Sequence, residues 1–335
     1  MKTLRSFVLA LMASCASLLP AIAIADEAGG YDEITGKDLR ILRKAPAISV
    51  AGYRVAFVVS NNTFAHSIGG NAFSRTIVTL SGVDTPDLQQ IADEAYADLM
   101  QRLAATGRPV VPPEQVTASK GWAKLEKVEP TGDEPYAKKA FADSRLIAVF
   151  APAALPLWWM HLDAPLGSAG PGDLANWRAL NQLSVDTKSV VLTPQIVVDF
   201  AALESSGSST LSGDASTEAK VSLRLVEQST AVRLVQAKMA FAGEIGTAML
   251  KKPLPLADSS GRLVNVEEWG NQSEVAFAKE MVMMNGGMST AYDPGRSTAG
   301  QELAYVTDPA EFRTAVMDGI RRFNTMIAAA AAEVR

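Results

Sequence analysis

The chain has 335 residues, 48% of them hydrophobic, with 31 Lys and Arg against 36 Asp and Glu, two His and one Cys. That is ample apolar material for a large packed core. The acidic balance with scattered bases excludes an ordinary nucleic-acid-binding surface, and a single cysteine excludes an internal disulfide framework.

Residues 1–25 are expected to be an export signal. Lys2 and Arg5 give a positive start, and Phe7–Leu19 is apolar apart from Ser14, Cys15 and Ser17. Pro20 breaks the run, and Ala23-Ile24-Ala25 places small residues three and one before a cut ahead of Asp26. The alternative is a lipoprotein signal, with Met12-Ala13-Ser14 leading to a lipidated Cys15. Such signals normally carry Leu where Met12 stands, and they open into a polar tether, whereas Ala16–Ala25 stays apolar. The run is short of the roughly 20 residues a membrane span needs. No later run approaches that length, so the mature chain is expected to be periplasmic, without an integral span. Cut before Asp26, it keeps 310 residues and no cysteine, with 29 bases against 36 acids, a net charge of −7.

Residues 26–44 are polar at first and Gly-containing, and read as a flexible leader before a single domain over 45–335. In Ile48–Ser60, Tyr53, Val55, Phe57 and Val59 alternate with partly apolar neighbours, the pattern of a strand inside a sheet. Arg75–Leu80 reads as another short strand. A long helix follows: Thr85 caps it, Pro86 opens it, Leu88, Ile91, Ala95, Leu99 and Leu103 form its stripe, and Gly107 ends it. Arg108–Val111 reads as a short strand, Trp122–Tyr136 as loop and Arg145–Phe150 as a buried strand. Irregular insertions are expected at about 151–185 and 252–303, with a possible helix over Glu274–Met284 in the second. Between them Ser189–Leu203 is a long strand whose Pro194 should place it at an edge or a bulge. Ser205–Thr217 is Ser/Gly-rich and expected to be exposed. The alternating runs Val221–Leu225 and Val232–Ala237, with a polar joint, should pair as an antiparallel hairpin. A terminal helix opens with Asp308 as cap, Pro309 first and Glu311 completing a capping box, and its stripe is Phe312, Val316, Ile320, Phe323 and Ile327.

Together these make an α/β (α+β) sandwich: a mixed sheet with a C-terminal antiparallel hairpin, packed against two long amphipathic helices. The segments YRVAFVV, PDLQQIADEAYADLMQRLAATGRPVV, VVLTPQIVVDF, VSLRLVEQSTAVRLVQAKMAFAG and EFRTAVMDGIRRF resemble the curli-assembly transport family (CsgG-like). That family shares the fold of the TolB amino-terminal domain. The similarity covers about half the chain, in pieces. Glu227 stands where the family's hairpin usually has Asp, and Ala231 replaces the turn glycine. The resemblance implies the scaffold. The family's secretion pore would need a lipidated Cys15 and membrane hairpins, and Ser205–Thr217 is too polar for the latter.

No residue set calls for catalysis, a metal or a cofactor. His66 and His161 would need carboxylates converging from distant loops to hold a metal, and each reads more plainly as a solvated histidine. Gly69-Gly70 lacks the Lys-Ser/Thr partner of a phosphate loop and reads as a hairpin turn. Ser67 beside His66 has no nucleophile elbow, and the acid pairs Asp133-Glu134 and Glu267-Glu268 lie in polar loops. Trp158, Trp159 and Met160 stand out, since adjacent tryptophans in a loop do not easily both bury. Either one fills the core while the other lies on the surface, or the pair is a contact site for a partner. Met281, Met283, Met284 and Met288 read as core filler or as an adaptable docking surface. The expected function is a non-catalytic periplasmic interaction protein of the cell envelope, docking on an envelope protein and compatible with an oligomer. A lipid-anchored subunit of a secretion assembly is the alternative, and a hydrolase with a dispersed site stands third.

Overall fold

In the computed structural model the described residues are 33–34, 39–43, 45–66, 72–140, 145–159, 172–207, 215–239, 242–257, 260–266 and 297–332. Their strands are β1 (Ile48–Val50), β2 (Arg54–His66), β3 (Ala72–Ser81), β4 (Ala137–Ala140), β5 (Leu146–Phe150), β6 (Val190–Gly207), β7 (Ala215–Leu225), β8 (Ala231–Met239), β9 (Ala242–Met249), β10 (Leu254–Pro255), β11 (Gly261–Asn265) and β12 (Ser297–Thr307). The helices are α1 (Arg40–Arg43), α2 (Thr85–Ala105), α3 (Pro113–Thr117), α4 (Gly172–Thr187) and α5 (Pro309–Ala332), with a 3₁₀ turn at Trp122–Lys124. All twelve strands join one mixed sheet.

Two long strands organise that sheet. β2 and β6 run parallel from the Arg54–Gln195 pair to the Phe57–Val198 pair. Around this stretch β6 takes β1 in parallel and β8 antiparallel, and β8 takes β9. On the far side β2 takes β5, which takes β4. Beyond Phe57 and Val198 the two strands part. β2 continues into a ladder with β3, which pairs in parallel with β12, and β12 holds β11. β6 continues into a ladder with β7, and β7 holds β10. The result is an inner sheet continued by two β arms that face each other, with Thr217 of one against Ser74 and Thr76 of the other.

Helices cover the inner sheet. Tyr53 packs edge-on to Tyr96 of α2, and Phe57 lies 6.4 Å from Phe312 of α5. Arg54, between them in sequence, points the other way and meets Trp158, on the side where α4 lies against β8. The expected stripes of both long helices are buried, Leu88 to Leu103 in α2 and Phe312 to Ile327 in α5. Asp308 caps α5, its carboxylate accepting from the N–H of Ala310 and Glu311. In α2 the cap is Asp84, one residue earlier than Thr85, and it forms a reciprocal box with Asp87. Asp outcompetes Thr there because a carboxylate at a helix N-terminus also meets the helix dipole.

Further expectations are corrected. The runs Val221–Leu225 and Val232–Ala237 do not pair with each other as a hairpin. β7 and β8 both run antiparallel to β6, β7 along Val198–Gly207 and β8 along Val191–Gln195. The joint does not reverse the chain, because it wraps around one residue of β6. Val226 N–H donates to Val197 O, and Val197 N–H donates to the buried Thr230 Oγ1. β8 instead makes its hairpin with β9.

Pro194 does not put β6 at an edge, since β6 has neighbours on both sides. Leu192 O accepts from Ala51 N–H, so the same backbone side of Pro194 faces the gap between β1 and β2, where no ladder donor is needed. The register shift of the β6–β7 ladder lies between Asp199 and Ala201, and its extra residue is in β7, which advances from Arg224 to Val221 over the same step.

Parts of the two insertions are regular. α4 occupies 172–187 and β10, β11 and β12 lie within or across 252–303. Arg108–Val111 shrinks to one bridge from Val110 to Ile48. The expected helix at Glu274–Met284 lies outside the described residues, as do residues 1–32.

Candidate functional site

The tryptophan pair sits at the end of a segment that leaves β5 and crosses the sheet. Leu155 and Leu157 are buried along the way and anchor the crossing. Trp158 is then only 1% exposed. Its indole N–H donates to Ala51 O at 2.9 Å, so the ring is buried without an orphaned donor. The Arg54 guanidinium lies 5.2 Å from the ring centroid, and its Nη1 donates to Trp158 O at 3.0 Å. Gly52 makes this possible, since a Cβ there would stand 2.8 Å from the indole Cζ2. The β1–β2 gap that accommodates Pro194 is thus roofed by Trp158.

Trp159 is half-buried and packs against the margin of the core. Lys139 Nζ of β4 sits 5.2 Å from its ring centroid, within the reach of a cation–π contact. Its backbone is fixed as well. Asn176 of α4 donates from Nδ2 to Trp159 O at 3.2 Å, while Asn176 Oδ1 accepts from Glu126 N–H at 2.7 Å. One buried amide therefore ties the tryptophan segment, the 126 loop and α4 together. The pair divides, one indole fully in the core and one half-buried at its margin, and Trp158 makes its contacts inside the molecule. Met160 lies outside the described residues, as do Cys15, His161 and the methionines Met281, Met283, Met284 and Met288. His66 is the last residue of β2, opposite Phe73.

A second polar cluster was not anticipated. Asp199, on β6 just past its last pair with β2, has a side chain 1% exposed. Its Oδ2 lies 3.3 Å from Arg145 Nη1 and 3.2 Å from Arg224 Nη2. Ala201 N–H donates to Oδ1 across the bulge. Burial pushes the Asp199 carboxyl above the usual carboxylate range, and the two guanidiniums and the Ala201 N–H pull it only part of the way back. Sequence offered one signal, an Asp interrupting the apolar run VVDF.

A third network joins the helices. Tyr53 OH donates to Asn324 Oδ1 at 3.1 Å, and Asn324 Nδ2 donates to Ala95 O and Asp98 Oδ2, both at 3.0 Å. Asn324 is fully buried, and burial drives the Tyr53 hydroxyl well above its ordinary pKa.

Among the described residues no group of three or more His, Cys, Asp or Glu is placed to hold a metal ion. A groove of about 290 Å³ between the end of α4 and β8 is walled by Ser184, Lys188, Ser189, Gln236 and Lys238, with neither His66 nor a carboxylate in its lining. No described helix is long and apolar enough to cross a membrane. Comparison with protein-family models, curated proteins and solved structures gave no match.

Proposed function

We propose that this chain is a non-catalytic interaction protein of the cell envelope, exported to the periplasm, on a scaffold of the CsgG/TolB-amino-domain type. It works by presenting a fixed surface centred on Trp159 and Lys139 to an envelope protein. The observation that carries this reading is the division of the tryptophan pair. Trp158 uses its indole to anchor the segment, and Trp159 keeps a half-buried ring under a lysine with its backbone held by Asn176. A tryptophan held rigidly at a surface loses little conformational freedom on binding, which is why such residues recur as interface hot spots.

The mixed sheet and the two long amphipathic helices support the scaffold assignment. The β6–β7 arm favours a water-facing protein over a membrane-inserted subunit. Glu204 and Glu218 are 65% exposed and Lys220 is 53% exposed there, and charges on a lipid-facing strand are costly.

The test is a photo-crosslinking residue at position 159 in the native host, read alongside Trp159→Ala. The expected result is a discrete crosslinked envelope protein whose co-purification falls at least tenfold in Trp159→Ala with the melting temperature unchanged. Undiminished co-purification from that variant would end the proposal. Mass measurement of the mature amino terminus separates a start at Asp26 from an acylated Cys15.

A further inference from the structure

The groove between the end of α4 and β8 is built from two breaks in regular structure. α4 ends at Thr187, and Lys188 follows with a φ of 50°, in the left-handed region. Lys188 N–H donates to Val185 O and Ser189 N–H to Ser184 O, the bonding of a helix stop that usually carries glycine. A side chain strains the backbone there, so a lysine is kept where glycine would fit more easily. On the other wall, β8 and β9 pair Ala237 with Gly243 and Met239 with Ala242. β8 advances two residues while β9 advances one, which leaves Lys238 as the extra residue of a bulge. Bulges re-aim side chains. Lys188 and Lys238 both line the groove.

Its floor is fixed by the buried Ser184, whose Oγ donates to Ser189 O at 2.6 Å and accepts from Ala237 N–H at 3.0 Å. That hydroxyl ties the helix end, the approach to β6 and the bulge together. Pro46 and Val185 add apolar wall, and no carboxylate is in the lining. The neighbouring acids are directed elsewhere. Asp186 accepts from Gly121 N–H and from Gln182 Nε2, and Glu244, opposite Gln236 on β9, is exposed and outside the lining. Two ammonium groups around one concavity with no carboxylate between them favour an anion. Lysine is a point charge suited to phosphate, whereas planar carboxylates are better matched by arginine. A volume of about 290 Å³ takes one such group on a small body.

We propose that this groove binds a phosphomonoester, with Lys188 and Lys238 holding the phosphate and Pro46 and Val185 packing on the body that carries it. The site lies at the opposite end of α4 from Asn176 and does not depend on the role proposed for Trp159.

The experiment is calorimetric titration of the protein purified from its native host with glycerol 3-phosphate, inorganic phosphate and glycerol. Glycerol 3-phosphate should bind saturably at one site with a dissociation constant below about 1 mM, inorganic phosphate more weakly, and glycerol not at all. Co-sedimentation with phosphatidylcholine vesicles, with and without phosphatidic acid, separates the sources. Binding to the phosphatidic acid vesicles alone would support the phosphomonoester and assign it to a lipid head. Lys188→Gly relieves the left-handed backbone, so it should weaken binding at least tenfold with the melting temperature equal or higher. Lys238→Gln should weaken it similarly. Lys252→Gln, an exposed lysine past the other end of the β8–β9 hairpin, should bind like the parent. Absence of binding to both glycerol 3-phosphate and the phosphatidic acid vesicles would overturn the proposal. So would undiminished binding in Lys188→Gly and Lys238→Gln, or an equal loss in Lys252→Gln.

Discussion

The inner sheet and the two arms share the strands β2 and β6, yet they are held by different physics. Along Val55–Val58 and Val190–Val198 almost every side chain is buried, under α2 and α5 on one face and under α4 and the Trp158 segment on the other. A few residues further out the same strands carry Asn61, Asn62, Glu204 and Ser205, and the arms meet through hydroxyls, an amide and an ion pair beside the Phe200–Tyr305 stack and buried Val78 and Leu223. Burial of apolar surface is non-directional and strong, and hydrogen bonds are directional and individually weak in net terms. The inner sheet is therefore where most of the stability resides, and in the arms polar contacts carry a larger share of it.

The largest expected effect breaks the inner region. Trp158→Ala removes a fully buried indole, its bond to Ala51 O and the face on which Arg54 stacks. A loss of about 3–5 kcal/mol is expected in denaturant unfolding. Trp159→Ala removes a half-buried ring at the surface and should cost less than about 1 kcal/mol. Equal costs for the two would mean that the pair is not divided between core and surface.

Next is Asn324→Ala, at about 1–3 kcal/mol, because it leaves the Tyr53 hydroxyl buried without its acceptor. Tyr53→Phe combined with Asn324→Ala should cost less than the sum of the two single changes, since the orphaned hydroxyl is then gone. Thermal or denaturant unfolding of the four proteins in that cycle checks this. An additive result would show that the two side chains act independently.

Much of the inner region was legible in the sequence. Tyr53–Val59 and Arg145–Phe150 alternate or run apolar, and the stripes of α2 and α5 repeat at three and four, because these elements bury aliphatic faces. α4 was missed because its buried face mixes Ala179, Leu180 and Leu183 with Asn176, Asn181 and Ser184, which dilutes the period. β12 was missed for a similar reason, its STAGQE half being small and polar. The reading of β7 and β8 as a hairpin failed because two antiparallel neighbours of one long strand show the same alternation as a pair. Only the side chain of Thr230, bonded to Val197, distinguishes them. Of the candidate site, the oddity of Trp158-Trp159 was visible, but which ring is anchored depended on Gly52, an ordinary residue in sequence. Asp199 needed partners from β5 and β7, 54 and 25 residues away.

In the arms the effects are smaller. Thr217→Val keeps the shape and removes the hydroxyl shared by Ser74 and Thr76. A cost of about 1 kcal/mol is expected. It should appear as faster amide exchange in Ala201–Leu203 and Thr217–Val221, with the protection of α2 and α5 unchanged. Uniform acceleration across the molecule would mean that the arms unfold only together with the inner sheet.

Asp199→Asn should be the gentlest change in global stability near neutral pH, and its sign with pH is the sharper measurement. The folded chain raises the pKa of Asp199 above the 3.8 of a solvated aspartate. The native state therefore holds the proton more tightly than the unfolded state. Stability must fall as pH rises from about 3.8 through the raised value, and then level off. Burial thus weighs against the charged form, and the two arginines offset it only in part. Wild type minus Asp199→Asn, followed by denaturant midpoint from pH 4 to pH 8, cancels the other titrating groups. The difference should favour wild type progressively more as pH is lowered. A difference of the opposite slope would mean that the arginines outweigh burial. The Arg145–Asp199 pair would then stabilise the fold outright, and the contrast between an apolar inner sheet and more polar arms would fail at its root.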